Sequence, residues 1–302
     1  MTREAVPVVF DTDIGTNVDD ALALALALAS PEIRLVAVSV VNGDATTLHL
    51  RARIAARLLG LAGRADVPVL RGHPERLSAS DRYSHLGHEG EGLLEYAHDG
   101  ADATIHDTPA ADWLVAHSHD EPLHVVATGP LTTVAVALQR DPALAHRLRH
   151  LTVMGGSVHP DKAERDYNTA CDPLAALVCA ISGVPITWVT IDTTLQTAMT
   201  AAALQRIRDA HTPLLDALAR LTEIWLQRRS PARYHDPLAM ASVFGGPWLT
   251  LRTEHLDYSV HDGLFRLHPG GGAHHAAVSQ QVDSDAFEAA YLERVLAAFA
   301  DR

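Results

Sequence analysis

The stretch Val8-Val9-Phe10-Asp11-Thr12-Asp13-Ile14-Gly15-Thr16-Asn17-Val18-Asp19-Asp20 constrains the fold of this chain more than any other. Four carboxylates fall within ten residues, between an apolar run of strand character (Val6 to Phe10) and one of helix character (Ala21 to Ala29). A strand that ends in acids and turns directly into a helix puts those acids at the carboxyl end of a sheet, where open α/β folds bind ligands. Carboxylates this close repel one another unless a cation or a shared proton neutralises them. Hard oxygen donors suit Ca²⁺ or Mg²⁺, so the stretch predicts a metal site at the end of the first strand. Helix capping by Asp19 or Asp20 accounts for one or two of the acids and leaves the others unexplained. An EF-hand loop is excluded: counted from Asp11, the sixth position is Thr16 where Gly is needed, and the twelfth is Leu22 where Glu is needed.

Leu22, Leu24, Leu26 and Leu28 alternate with alanines, but Ala and Leu are the strongest helix formers and no β-branched residue interrupts them. The run is predicted to be a helix buried on all sides, ended by Ser30-Pro31. Beyond it strand and helix signals alternate. Strands are expected at Arg34 to Val41, Val67 to Leu70, Leu123 to Thr128, His150 to Met154 and Ile186 to Ile191. Helices are expected at Leu48 to Leu61, Ala110 to His117, Leu131 to Gln139, Asp172 to Ser182, Ala201 to Arg208, Leu214 to Arg228 and Pro237 to Phe244. Arg71 to Asp107 shows no periodicity and reads as a functional loop, a lid. Short alternating runs between Trp248 and Val282 predict antiparallel strands at a sheet edge, and Asp285 to Phe299 an amphipathic helix. The fold class is α/β: residues 1–302 form one domain around a single doubly wound, mainly parallel open sheet with helices on both faces.

A formal net charge of −13 argues against a nucleic-acid backbone or an anionic membrane as partner. Neither Cys171 nor Cys179 sits in a zinc or redox spacing, which points to a reducing, cytoplasmic setting. No basic start followed by an apolar segment marks a signal peptide, and the apolar run Ala21 to Ala29 is far too short to span a membrane.

Asp11 and Asp13, Asn42 and Asp44, Thr128-Gly129-Pro130, and Gly155-Gly156 all fall just past predicted parallel strands, so the sheet gathers them at one edge. Arg165-Asp166-Tyr167-Asn168-Thr169 precedes one helix and Arg233-Tyr234-His235-Asp236-Pro237 opens another, where Asp236 before Pro237 reads equally well as a cap. In this order the motifs Asp11-Thr12-Asp13-x-Gly15…Asp19-Asp20-Ala21, Val41-Asn42-Gly43-Asp44, Thr128-Gly129-Pro130-Leu131-Thr132, Met154-Gly155-Gly156, Tyr167-Asn168…Asp172-Pro173 and His235-Asp236-Pro237 resemble those of the nucleoside hydrolases. These are calcium-dependent N-ribohydrolases of the inosine–uridine-preferring type, and the resemblance runs from Val8 to about Pro237.

The resemblance implies hydrolysis of a ribonucleoside to free base and ribose. It implies a Ca²⁺ held by the carboxylates of Asp13, Asp20 and Asp236 and the backbone carbonyl of Thr128, with Asp13 also the general base for the attacking water. Asp11 would orient the ligands. Asp19 and Asn168 would hold ribose hydroxyls beside Asp44 and Met154, and Asp166 would reach the 5′-hydroxyl. His235 would lie near the leaving base, where an imidazole titrating near neutral pH donates a proton. His88, in Gly87-His88-Glu89-Gly90, would be a second imidazole on a loop over the pocket. Base contacts would come from the loop around His85 to Tyr96 and from helices near Trp225, and a homodimer or homotetramer is expected.

The chain departs from the familiar pattern at the sugar end. Five residues, Ile14 to Val18, separate Asp13 from the acidic pair where three are usual, which brings Asn17 within reach of the metal. Asp166 stands where a Glu is usual, and Asp44 where an Asn is frequent. Two other readings stay open. A haloacid-dehalogenase-like phosphohydrolase, with an aspartyl nucleophile and Mg²⁺, leaves Asp19-Asp20 and His235-Asp236-Pro237 unexplained. A non-catalytic nucleoside or sugar binder would share the fold.

Overall fold

The computed structural model describes residues 4–78, 87–96, 100–159 and 161–299. Among them ten strands form one sheet: β1 (Val6–Thr12), β2 (Ile33–Val40), β3 (Val69–Arg71), β4 (Ile105–His106), β5 (His124–Ala127), β6 (His150–Met154), β7 (Ile186–Val189), β8 (Leu249–His261), β9 (Leu264–Pro269) and β10 (His274–Val282). Their order is β4-β3-β2-β1-β5-β6-β7-β10-β8-β9. Pairings are parallel from β4 through to β10 and antiparallel from β10 to β8 and β8 to β9. The mainly parallel sheet with antiparallel C-terminal edge strands is thus the one the sequence predicts.

The chain runs outward from β1 to β4, then returns to the other side of β1 with β5. That reversal between β1 and β5 is the topological switch point, where the loops diverge and leave a crevice at the carboxyl ends of the strands. Register brings the two strands level: Asp11 lies opposite Ala127 in β5, and the Thr128 N–H donates to the Asp11 carbonyl at 2.8 Å. Asp13 and Thr128 therefore emerge side by side.

Helix Asp19–Ala29 is buried from Asp19 through Ala27, as its Ala/Leu run requires. It lies in the core on one face of the sheet with helices Ala45–Leu61, Pro213–Arg228, His235–Ala241 and Ser284–Phe299. Helices Ala110–His117, Thr132–Arg140 and Pro173–Ala180 cover the other face. Truncating a fully buried leucine such as Leu24 to Ala in a core of this kind costs about 2–5 kcal/mol. Among the described residues no helix is long and apolar enough to cross a membrane.

Some elements differ from expectation. β7 ends at Val189, and Ile191–Thr194 is a short helix in place of continued strand. Tyr167–Cys171 is helical, with the Asp166 side chain accepting the Thr169 N–H as its cap. β8 is a long strand of 13 residues between β10 and the edge strand β9, and its mostly solvated side chains give little apolar periodicity to read. The loop expected over 71–107 contributes β4, and its residues 79–86 and 97–99, His85 among them, lie outside the described residues.

At the amino ends of the central strands, His124 and His150 open β5 and β6 with ring centroids 5.0 Å apart. Their Nε2 atoms meet the hydroxyls of Thr152 at 2.9 Å and Thr187 at 2.8 Å. Burial, reinforced by the charges of His150 and Arg149, pulls His124 down to about 3 from 6.5. A buried neutral imidazole takes up a proton only on unfolding, so its stabilising contribution is full above the unfolded value and is lost as pH falls from about 6.5 toward 3. His124→Asn, which can keep the Thr152 contact, is expected to flatten this part of the pH–stability profile measured by denaturant unfolding. Parallel wild-type and variant profiles would show that His124 is not held neutral.

Candidate active site

Two helix starts converge on the crevice. Asp19 and Asp20 occupy the first turn of helix Asp19–Ala29, and Asp236 occupies the first turn of helix His235–Ala241, which packs against it. Helix N-termini favour negative charge. Tyr234 secures the second helix: its hydroxyl donates to Glu288 at 3.0 Å, and its ring packs on Phe287 and Tyr291. Carboxylate oxygens of Asp19, Asp20 and Asp236 come within 4.8 Å of one another, and all three residues are buried. Asp13, Thr128, Met154, Asn168 and His235 line the same cleft, of about 510 Å³.

The acids are held in place by neutral donors and one cation. Asp20 Oδ1 accepts from the hydroxyls of Thr12 and, at 3.1 Å, Thr128. Asn42 Nδ2 donates to Asp13 Oδ2 at 3.0 Å and to the Tyr167 hydroxyl at 3.2 Å. Arg51 is only 1% exposed. It donates to the carbonyls of Asp13, Ile14 (2.9 Å) and Asn42 (3.0 Å), and to the Thr16 hydroxyl (2.8 Å). It thereby fixes the turn between Asp13 and Asp19. Asp19 Oδ1 and both carboxylate oxygens of Asp11 are buried with no hydrogen-bond partner among the described residues.

Protonation follows from this crowding. Burial, with the nearby Asp13 charge adding to it, pushes Asp20 up to about 7 against the Thr12 hydrogen bond. Asp11 is likewise raised to about 7, chiefly by burial. Asp19 and Asp236 lie well above the carboxylate range, through burial and then the like charges around them. Asp13 is raised by burial, while the Arg51 charge and the Asn42 hydrogen bond resist. Buried carboxyls that cannot all ionise together, one with an unpartnered oxygen, fit a divalent cation; the donor set is oxygen throughout, as a hard ion prefers. The Thr128 carbonyl accepts from Asn168 Nδ2 at 2.7 Å and keeps a second lone pair for a ligand role.

The remaining predicted residues fall in different places. Asn168 Nδ2 also donates to the Met154 carbonyl at 3.1 Å, so both residues sit in the cleft wall. Asp166 is buried, accepts the Gly156 N–H at 2.6 Å and the Thr169 hydroxyl, and does not line the cleft. Asp44 is exposed and caps helix Ala45–Leu61 by accepting the Thr47 N–H at 2.8 Å. His88 Nε2 meets the Thr16 carbonyl at 2.8 Å and lines a smaller apolar slot with Ile14, Val18, Ile54 and Trp225, beside the cleft. His235 does not titrate near neutral pH as the sequence suggested: burial, then the Arg233 charge, lowers it to about 3, and its Nδ1 lies 2.7 Å from the Thr194 hydroxyl. Arg51, Thr12 and Thr194 were not anticipated. For Arg51 a signal existed: it falls on the buried stripe Leu48, Arg51, Ala55, Leu58, where a charge is out of place without partners.

A mainly parallel sheet with a buried acid cluster at its switch point, drawn from segments far apart in the chain, defines an α/β fold with a site that could hold a metal ion. The chain belongs to the family described as inosine–uridine preferring nucleoside hydrolases, whose model matches residues 8–289, and it is accordingly an N-glycosidic hydrolase of ribonucleosides. It is 31% identical over 251 residues to a pyrimidine-specific ribonucleoside hydrolase, RihA, of Enterobacter sp. (strain 638), covering 78% of each chain. The RihA of Photobacterium profundum is 32% identical over 252 residues, again covering 78% of each. The fold is similar to a plant nucleoside hydrolase, the PpNRh1 enzyme (TM-score 0.81, 25% identity, 96% of this chain and 98% of that one). It is equally similar to a purine-preferring ribonucleoside hydrolase from Gardnerella vaginalis (TM-score 0.81, 25% identity, 97% and 98%).

Proposed function

We propose that this chain breaks the C1′–N bond of ribonucleosides with Asp13 as general base, at a Ca²⁺ site made by Asp13, Asp20, Asp236 and the Thr128 carbonyl. The observation that carries the reading is the meeting of Asp19, Asp20 and Asp236 within 4.8 Å, in the cleft that Asp13 and Thr128 also line. A bound Ca²⁺ supplies the charge that lets these carboxylates ionise together, and it offers further coordination positions for a sugar cis-diol and a water.

The side chains then divide the work. Asn42 engages Oδ2 of Asp13, which leaves Oδ1 to take a proton from the attacking water. The unpartnered Asp19 Oδ1 accepts a ribose hydroxyl. Asn168 spends its Nδ2 on two carbonyls and presents its Oδ1 to a second hydroxyl. As the bond breaks, positive charge develops at C1′ and the ring oxygen, and the surrounding acids favour it. His235 works as a neutral donor: with Nδ1 accepting the Thr194 hydroxyl, Nε2 carries the hydrogen offered to the departing base.

Base release from inosine and uridine, and phosphate release from p-nitrophenyl phosphate, each with and without chelator, test the reading. Chelator-sensitive base release is expected. Phosphate release without base release would favour the phosphohydrolase, and neither would favour a binder. His235→Ala is expected to slow inosine far more than p-nitrophenyl riboside, whose leaving group needs no donor; equal losses would remove His235 from that role.

A further inference from the structure

The wall of the cleft carries two cations that the acids on its floor do not explain. We infer that Arg165 and Arg229 receive an anionic group on C5′ of the substrate, so that nucleoside 5′-monophosphates are its better substrates. The inference rests on the N-glycosidic hydrolysis proposed above and adds the substrate class.

Arg165 ends the 3₁₀ turn Ala163–Arg165, and Arg229 follows helix Pro213–Arg228; both line the cleft with Asp13, Asp19, Asp20 and Asp236. Both are exposed, and neither side chain has a hydrogen-bond or ion-pair partner among the described residues. Acids are not scarce, since 37 Asp and Glu face 24 Lys and Arg. Elsewhere arginines find them: Arg228, next to Arg229, pairs with Glu91 at 2.5 Å, Arg147 with Asp141 at 2.5 Å, and Arg294 with Glu32 at 2.8 Å. Arg233 adds to the positive field near the cleft, because its guanidinium donates to the carbonyls of Leu195 and Thr197 and has no acid partner. After burial, the Arg165 charge is what lowers Arg233. Asp166, beside Arg165 in the chain, turns inward to Gly156 and Thr169. This part of the wall therefore offers donors where a neutral 5′-hydroxyl would need no charge.

The geometry of the sugar then selects the position of the anion. The acid end of the cleft engages the 2′- and 3′-hydroxyls, and C1′ carries the base. Only C5′ is left to bear a phosphate, and a guanidinium fork matches phosphate oxygens in pairs. The reaction is unchanged and balanced: the C1′–N bond breaks, the water oxygen bonds to C1′, one water hydrogen ends on the base, and ribose 5-phosphate is released.

The test uses the full chain loaded with Ca²⁺ and follows base release from uridine, inosine, their 5′-monophosphates and orotidine. The expected kcat/KM is roughly tenfold or more higher for each monophosphate than for its nucleoside, as a charge-assisted contact provides. The same ratio is expected to fall at least about tenfold in the Arg165→Ala/Arg229→Ala double variant and to be partly kept in Arg165→Lys. Calorimetric titration gives a readout without turnover: ribose 5-phosphate is expected to bind more tightly than ribose to the wild type and no more tightly to the double variant. Hydrolysis of nucleosides with no gain for their monophosphates would overturn this inference and leave the hydrolase reading standing. A preference for orotidine over uridine without one for monophosphates would move the anion to the base and also overturn it. Absence of base release from every compound would remove the hydrolase reading, and this inference with it.

Discussion

Asp13→Asn is expected to lower kcat for a ribonucleoside by about 10²–10⁴-fold, the usual scale of general-base help, while the protein stays folded. The two halves of this expectation have separate causes. The variant amide cannot take a proton from water, so the chemical step loses its base. The structure around it is not disturbed: the Asn42 amide can still donate to the new side-chain oxygen, and Arg51 holds the residue through the Asp13 carbonyl, which substitution leaves in place. One like charge is also removed from a site where Asp19, Asp20 and Asp236 already feel Asp13. The thermal midpoint of the metal-free variant is therefore expected to match or exceed that of the metal-free wild type. Near-normal turnover would take the base role from Asp13, and a large drop in midpoint would make it a structural residue.

Removing the divalent ion is the second large effect. Chelation is expected to abolish base release and lower the unfolding midpoint, with both restored by Ca²⁺. Without the ion, buried carboxyls must share protons or repel, which opposes folding at neutral pH. An ion that binds only the folded state stabilises it by mass action, about 2.7 kcal/mol at a hundred times its dissociation constant. Asp236→Ala removes the one acid of the cluster contributed by the far end of the chain, so it is expected to erase the Ca²⁺-dependent shift. A shift of undiminished size in that variant would place the ion elsewhere.

The architecture was largely legible in the residues. The acid-ended strand before an Ala/Leu helix gave β1, the buried helix and the edge of the sheet that carries the site. The motifs at Thr128, Asn168 and His235-Asp236-Pro237 pointed to the loops that close it. What could not be read was direction. Asp166 and Asp44 sit where the resemblance puts sugar contacts, yet each caps a helix, because a short acid preceding a helix can serve its N–H groups or a ligand with equal ease. The His235 imidazole looked like a titrating acid until its surroundings were known, since burial and Arg233 act from outside its own segment. For Arg51 the buried stripe signals that a charge needs partners but not which ones: they are the carbonyls of Asp13 and Ile14 and the hydroxyl of Thr16, in a turn 35 to 38 residues earlier, and only the folded turn brings them to it.

Calcium titration of the chelator-treated protein by calorimetry, comparing wild type with Asp20→Asn, bears on the metal site most directly. One ion per chain is expected for the wild type, with affinity greatly weakened in Asp20→Asn. No saturable binding, or binding that Asp20→Asn leaves intact, would contradict a metal held between the two ends of the fold.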